Sequence, residues 1–246
     1  MAMEQFKAFT DMPYKQQGQA FLNAYFAEHG GEAEKIWDWC LLFVELDTAK
    51  GEEGNDLDEF NAHRFLERLK ETKTVKQMRQ ELAEADVDFN KRVALIEYCL
   101  WRYKKKVSDF VKRPQGGGEE VVRCAAMLAA AQKALKEAQE ELAELEAQEA
   151  AYKKKQKDLE AKCEQGGVVS KNRAKAQLAQ LLAEDPLPLS RAKITSKAAT
   201  NRANKAVAAA EKALSEAADK GAGAGAIWWM ERELAEAKKY MPQKKQ

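Results

Sequence analysis

Proline is scarce: five occur in 246 residues. With 33% charged and 45% hydrophobic residues, that scarcity excludes an extended proline-rich chain and fits a folded, strongly helical protein of one or two domains. Paired cysteines are missing too. Cys40, Cys99, Cys124 and Cys163 lie far apart with no C-x-x-C pair, which argues against a zinc site or a disulfide framework and fits a reducing cytosol. There are only two histidines, His29 and His63, and neither sits in a nucleophile or metal motif, so no enzyme is expected. Charge of one sign is absent: 41 basic against 40 acidic residues leave a net +1. General attraction to nucleic acid or anionic lipid therefore has no support in the total, and the basic groups are interleaved with acidic ones without an aromatic platform for bases. Long hydrophobic runs are lacking as well. "IWDWCLLFVEL" is broken by Asp38 and too short to span a bilayer, and "MAMEQFKAFT" has no signal-peptide core. The expectation is a soluble cytoplasmic protein without nucleic-acid or membrane partners.

What is present is helix. Up to about residue 113 the chain reads as short helices broken by acidic or glycine-containing loops, and it holds most of the aromatic residues. "RPQGGGEE" then stops one helix and starts another, with Glu119 and Glu120 facing the positive end of the new dipole. This predicts two domains, residues 1–113 and 119–246. From Glu119 to about Cys163 a heptad seam runs through Val121, Cys124, Leu128, Ala131, Leu135, Ala138, Leu142, Leu145, Glu149, Tyr152, Gln156, Leu159 and Cys163. It predicts a coiled-coil-like helix of about 65 Å, with a buried helix of an ordinary bundle as the competing reading. "CEQGG" ends it, Ser170 is expected to cap the next helix, and "DPLPL" stops that one at Pro186. A third helix, about Ser190 to Asp219, presents Ala199, Ala203, Ala206, Val207, Ala210, Leu214 and Ala217, small enough to fold back along the long helix as an antiparallel hairpin. "KGAGAGA" reads as a flexible joint. It lacks the preceding strand that a dinucleotide-binding fingerprint needs. A final helix has Ile227, Met230, Leu234, Ala237 and Met241 on one face. The predicted fold class is all-α.

One loop carries chemistry. "ADVDFNKRVALIE" places Asp86, Asp88, Asn90 and Glu97 at positions 1, 3, 5 and 12 of a twelve-residue calcium frame, with the Arg92 carbonyl at position 7 and Ala94 leaving position 9 to water. A calcium ion needs six to eight hard oxygens, and these residues supply them. Both flanks are helical, with Val75, Met78 and Leu82 before and Leu95, Ile96, Cys99 and Leu100 after. Lys91 stands at position 6, where glycine is expected, so binding is predicted at sensor strength or weaker; an acidic interhelical turn is the alternative. Such hands occur in pairs, and "FVELDTAKGEEGNDLDEFNAHRFLE" has the same shape, with Leu57 in the place of Val93. Its loop is three residues too long, and Asn61 stands where the glutamate should be. It reads as a degenerate hand whose carboxylates, Asp47, Glu52, Glu53, Asp56, Asp58 and Glu59, leave unconventional binding open.

Residues 15–106 and 221–245, above all "FLNAYFAE" and "AGAIWWM", resemble the calcium-regulated actin-bundling protein family of amoeboid cells, the 34-kDa type. The resemblance implies a paired EF-hand domain, a helical carboxy-terminal region that contributes to binding filamentous actin, and bundling that calcium reduces. It carries over the ligands Asp86, Asp88, Asn90, Arg92 and Glu97. Members usually have glycine at the position of Lys91, and a longer leader before the first hand. The protein would then work in the actin cytoskeleton.

Filamentous actin is acidic, so a binder should show positive patches. Lys153, Lys154, Lys155 and Lys157, then Lys171, Arg173 and Lys175, then Arg191, Lys193 and Lys197 are the candidates, with Arg202, Lys205, Lys244 and Lys245 behind them; a hairpin would gather the first three groups near its tip. A solvated lysine-rich face is the plainer reading of the same residues. Two filament sites on one chain, in a monomer, are favoured over dimerisation through the long seam. The alternative function is a calcium sensor or scaffold whose helical surface, including Trp228 and Trp229, engages a partner other than actin. Core packing against the hand domain is the favoured role of those tryptophans.

Overall fold

A computed structural model describes residues 2–69, 74–183, 187–221 and 223–239. Pro186, Met241, Lys244 and Lys245 lie outside the described residues. The described residues form eleven α-helices and one pair of two-residue strands, so the chain is all-α. None of these helices is long and apolar enough to cross a membrane.

The first helices are α1 (Ala2–Thr10), α2 (Tyr14–His29) and α3 (Ala33–Leu46). Pro13 precedes α2 at a φ of −56°, a position where its missing N–H costs nothing. After α3 a loop leads to β1 (Leu57–Asp58) and α4 (Glu59–Arg68). Asp58 caps α4, its Oδ1 accepting from the Asn61 amide at 2.8 Å. The next unit repeats the plan: α5 (Val75–Ala85), a loop, β2 (Arg92–Val93) and α6 (Leu95–Arg102). Thr74 and Gln77 form a reciprocal capping box at the start of α5. The strands pair antiparallel, Leu57 opposite Val93 and Asp58 opposite Arg92, so Leu57 takes the place read for it from the sequence. A short α7 (Val107–Phe110) precedes Pro114 and the glycines, and then come α8 (Glu119–Glu164), α9 (Val168–Ala183), α10 (Leu187–Asp219) and α11 (Ala224–Lys239).

By contacts the chain divides into two units. The first comprises the residues up to Cys124 together with Leu214–Glu231. Its core is aromatic: Phe43 packs on Phe65 with ring centres 4.6 Å apart, Phe65 on Tyr98 at 4.8 Å, and Trp39 on Tyr98 at 5.1 Å. Trp229 of α11 is 1% exposed and meets Trp37 at 4.9 Å, so the tail helix completes this core, the role expected for it. Two glycines permit that approach. A Cβ at Gly18 would lie 2.5 Å from the Trp229 ring, and one at Gly225 only 2.4 Å from the Leu22 carbonyl oxygen. The run "KGAGAGA" does separate α10 from α11, as expected, but its end from Ala224 is already helical, and Gly225 is a packing position inside α11, since close approach leaves no mark in composition. In the same unit Arg123 pairs with Glu216 at 3.0 Å and Lys220, in the turn after α10, with Glu120 at 2.6 Å, so numbers fall along α10 and its end as they rise on α8.

The second unit holds Ala125–Ala213 and the residues from Arg232 on. All thirteen seam positions on α8, including those in the first unit, are buried or half-buried, while Lys153, Lys154 and Lys155 between them are exposed. Ala199, Ala203, Val207 and Ala210 are the buried face of α10. Two boundaries differ from expectation. Helix α9 starts at Val168, so Ser170 does not cap it; its hydroxyl donates back to the Gly167 carbonyl at 2.8 Å. Helix α10 starts at Leu187 rather than near Ser190, with Pro188 in its first turn, where a helix tolerates it.

Candidate metal centre

Asp86 ends α5 with its amide still bonded to the Leu82 carbonyl, and the chain then turns so tightly that three side chains converge. Oxygens of Asp86, Asp88 and Glu97 lie within 4.8 Å of one another. The turn is held by its own amides. Asn90 N donates to Asp86 Oδ1 and Asp88 Oδ1, both at 3.1 Å, Lys91 N to Asp86 Oδ2 at 2.8 Å, and Arg92 N to Asn90 Oδ1 at 2.6 Å. Phe89 and Lys91 have φ of 59° and 61°, left-handed conformations that a side chain resists. Lys91 thus adopts the backbone that the sixth loop position demands, at a cost on the order of 1 kcal/mol.

Glu97 is the informative residue. Its side chain is fully buried in the first turn of α6, and its oxygens accept from the Val87 amide at 3.1 Å and the Ala94 amide at 2.9 Å. Among the described residues no lysine or arginine pairs with it. Burial pushes its carboxyl up to about 7, the two amides oppose that, and the Asp88 and Asp86 charges add to it. A buried carboxylate without a protein cation, facing two more carboxylates, is costly unless a cation joins it. The donor set is all oxygen, which fits a hard divalent cation of the calcium kind. Asn90 and Arg92 lie in the same turn, Asn90 with its side-chain oxygen engaged by the Arg92 amide.

The first loop is organised differently. Asp47 Oδ1 accepts from the amides of Ala49 and Lys50, and its Oδ2 from the Tyr14 hydroxyl at 3.0 Å. Burial and this carboxylate both push the Tyr14 pKa far up, so the hydroxyl stays a donor. Asp56 Oδ1 is taken by the Arg92 guanidinium at 2.7 Å, Glu52 by Lys15 at 2.9 Å, and Asp58 by the cap of α4. Asp47, Glu52, Asp56 and Asp58 thus each have a protein partner, and among them Asp56 and Glu52 face a cation. The sequence suggested neither Tyr14 nor the Arg92 side chain, because both partners come from elsewhere in the fold. Gln17 was missed for the same reason. Its fully buried amide donates to the carbonyls of Thr10, Met12 and Asn55 and accepts from the Ile96 amide at 3.0 Å, tying both loops to the segment before α2.

The described basic candidates lie in the second unit. Lys153, Lys154, Lys155 and Lys157 are exposed on α8, Arg173 and Lys175 are exposed and Lys171 half-buried on α9, and Arg191 and Lys193 are exposed on α10. The Tyr152 hydroxyl lies 3.4 Å from the Leu181 carbonyl, so α9 runs back beside the last turns of α8. Lys193 reaches Glu149 at 3.2 Å, which is about 22 Å short of the end of α8 at 1.5 Å per residue. The second basic group lies just beyond the Gly166–Gly167 turn, whereas Lys193 meets α8 about one helical turn before Lys153, so the third group lies near the first rather than at the turn.

Comparison with known proteins places this geometry. The calcium-regulated actin-bundling protein of Dictyostelium discoideum is 33% identical over an alignment of 282 residues, which covers 99% of this chain and 90% of that protein. The crystal structure of the 34 kDa F-actin bundling protein from the same organism superposes with a TM-score of 0.60 at 30% identity, covering 98% of each chain. A family model described as F actin bundling C terminal matches residues 92–245, from the second half of the carboxylate loop to the tail. With a whole-length relative and a matching family model in agreement, the chain belongs to the calcium-regulated actin-bundling protein family.

Proposed function

We propose that this protein binds and cross-links actin filaments, without catalysis, in the cytoplasmic actin cytoskeleton, and that calcium reduces the bundling. The observation that carries the calcium half is the fully buried Glu97 beside Asp86 and Asp88. On this reading the two helix–loop–helix units are a pair of EF-hands joined by β1 and β2, residues 1–113 are the regulatory domain, and residues 119–246 the filament-binding region. The ion pairs of α8 with α10 and the Tyr152 contact with α9 support an antiparallel hairpin in which α9 and α10 together form the return arm. The second hand would hold calcium through Asp86, Asp88, Asn90, the Arg92 carbonyl and Glu97. The first hand would need none, since Asp47 is held by the Tyr14 hydroxyl and Asp56 and Glu52 are paired with protein cations.

A divalent cation supplies one thing here, neutralisation of three crowded carboxylates. The chain's own residues carry the consequence outward. Glu97 holds the amides of Val87 and Ala94, and Gln17 holds the next amide, Ile96, to the first loop. Trp229 then packs α11 into the same core. Glu97, Gln17 and Trp229 thus belong to one core, through which a shift of α6 would be passed on. Burial of Trp229, with Trp228 half-buried beside it, leaves less of this pair for a scaffold's other partner. The half-buried seam of α8 is covered within the chain, which supports a monomer with two filament sites.

Low-speed cosedimentation with filamentous actin tests the proposal. Bundles are expected in chelator and fewer in calcium, with Glu97→Gln giving equal bundling in both. If the wild type bundles equally in both conditions, calcium control fails and actin binding stands; if nothing pellets with filaments, the whole reading fails.

A further inference from the structure

We propose that the cleft between the end of α5 and the α6–α7 turn is a binding site for a small, multiply phosphorylated anion. The cleft has a volume of about 600 Å³ and is lined by Arg102, Lys104, Lys105 and Lys106, with the Trp101 ring as one wall. Glu84 is the one carboxylate among the lining residues, and both of its oxygens are already engaged, by the Trp101 indole N–H at 3.2 Å and the Gln80 amide at 2.9 Å. Lys105 is fixed by Glu28 and lies over the Tyr25 ring at 5.0 Å. Lys104 and Lys106 are exposed and have no carboxylate partner among the described residues. Their charge is available to a ligand.

The backbone adds an independent observation. Lys105 N donates to the Leu100 carbonyl at 2.8 Å, closing α6 with a turn whose left-handed residue is Lys104, at a φ of 52°. Glycine is the usual occupant of that position. Outside the carboxylate loop, Lys104 is the one described non-glycine residue with positive φ. Strain retained where glycine would relieve it points to a use for the side chain, and here that side chain is a cation on the wall of the cleft. Phosphate dianions gain most from several lysines and arginines converging in a concavity, where charge-assisted hydrogen bonds are short and screening is reduced. The cleft is the size of a small-molecule site and has no row of aromatic faces, so a ring bearing several phosphates fits it better than a nucleic-acid strand does. That chemistry is shared by a soluble inositol polyphosphate and the headgroup of a phosphoinositide.

Calorimetric titration of the full chain with inositol hexakisphosphate in about 150 mM salt should show one site. Lys104→Ala with Lys106→Ala should weaken it tenfold or more, and Lys154→Ala with Lys155→Ala on α8 should leave it unchanged. Lys104→Gly keeps the experiment clear of misfolding, because it should melt no lower than the wild type and still bind several-fold more weakly. Flotation with phosphatidylcholine vesicles containing phosphatidylinositol bisphosphate, against vesicles of equal charge made with phosphatidylserine, separates the sources. Capture by the first alone assigns a lipid headgroup, and calorimetric binding without capture assigns a soluble ligand. Absence of binding in both assays overturns the proposal. So do equal capture by both vesicles, equal loss in the α8 pair, or an unchanged affinity in Lys104→Gly.

Discussion

Lys91 sets the strength of the proposed calcium site in two ways. It holds a φ of 61° that costs a side chain on the order of 1 kcal/mol, and it brings a positive charge to a loop that must hold a dication. Lys91→Gly removes both penalties, so calcium affinity should tighten at least about fivefold, the equivalent of roughly 1 kcal/mol. Calorimetric calcium titration checks this, and an unchanged or weaker dissociation constant would show that the turn is not what limits binding. The three carboxylates of the proposed frame were legible in the sequence because their spacing is local: Asp86, Asp88 and Glu97 fall within a span of twelve residues and do converge. Tyr14, Gln17 and the Arg92 side chain were not legible. Each does its work on a partner more than thirty residues away, Tyr14 on Asp47, Gln17 on Ile96 and Arg92 on Asp56, and no pattern within a helix announces such a partner.

Among the elements, the long helices were the most legible and the joints between them the least. The seam of α8 follows from periodicity alone, since residues three and four apart share a face whatever they pack against. Ser170 has the chemistry of a cap and lies three residues past the Gly166–Gly167 pair, whereas Val168 already lies in the helix. The glycines near residue 223 do mark the break between α10 and α11, but not the packing role of the last of them. Gly225 lets α11 lie against the α2 backbone, and a Cβ there would meet the Leu22 oxygen at 2.4 Å, a contact that only movement of a helix can relieve. Gly225→Ala should therefore destabilise the first unit by at least about 2 kcal/mol, lowering its melting temperature by roughly 4–8 °C. Gly31→Ala, with nothing within 4 Å of the added carbon, is the matched control and should melt as the wild type does. Equal melting of the two variants in a circular-dichroism scan would mean that α11 yields without cost, and that Trp229 is not locked into the core as its 1% exposure implies.

At the scale of the whole molecule, a net charge of +1 conceals segregation: from Lys153 to Ala183 there are eight basic residues and three acidic ones. Those at Lys153, Lys154 and Lys155 are exposed and make no ion pair among the described residues, so they contribute little to folding and their charge is free to act on an acidic filament. Reversing all three to glutamate should leave the helix content unchanged and weaken filament binding about tenfold or more at physiological salt, with the wild-type affinity itself falling as salt is raised. The same variant separates the two ways of cross-linking. If one chain carries two different filament sites, losing this one converts a bundler into a simple binder: high-speed pelleting with filaments persists while low-speed pelleting of bundles is lost. If each chain carries a single site and two chains associate, both forms of pelleting fall together. The covered seam of α8 favours the first outcome, because the surface a second chain would need is already buried or half-buried within the first. Sedimentation of the free protein as a monomer, together with binding that outlasts bundling in the variant, is the expected pair of results; a dimer that loses both at once would overturn the single-chain arrangement.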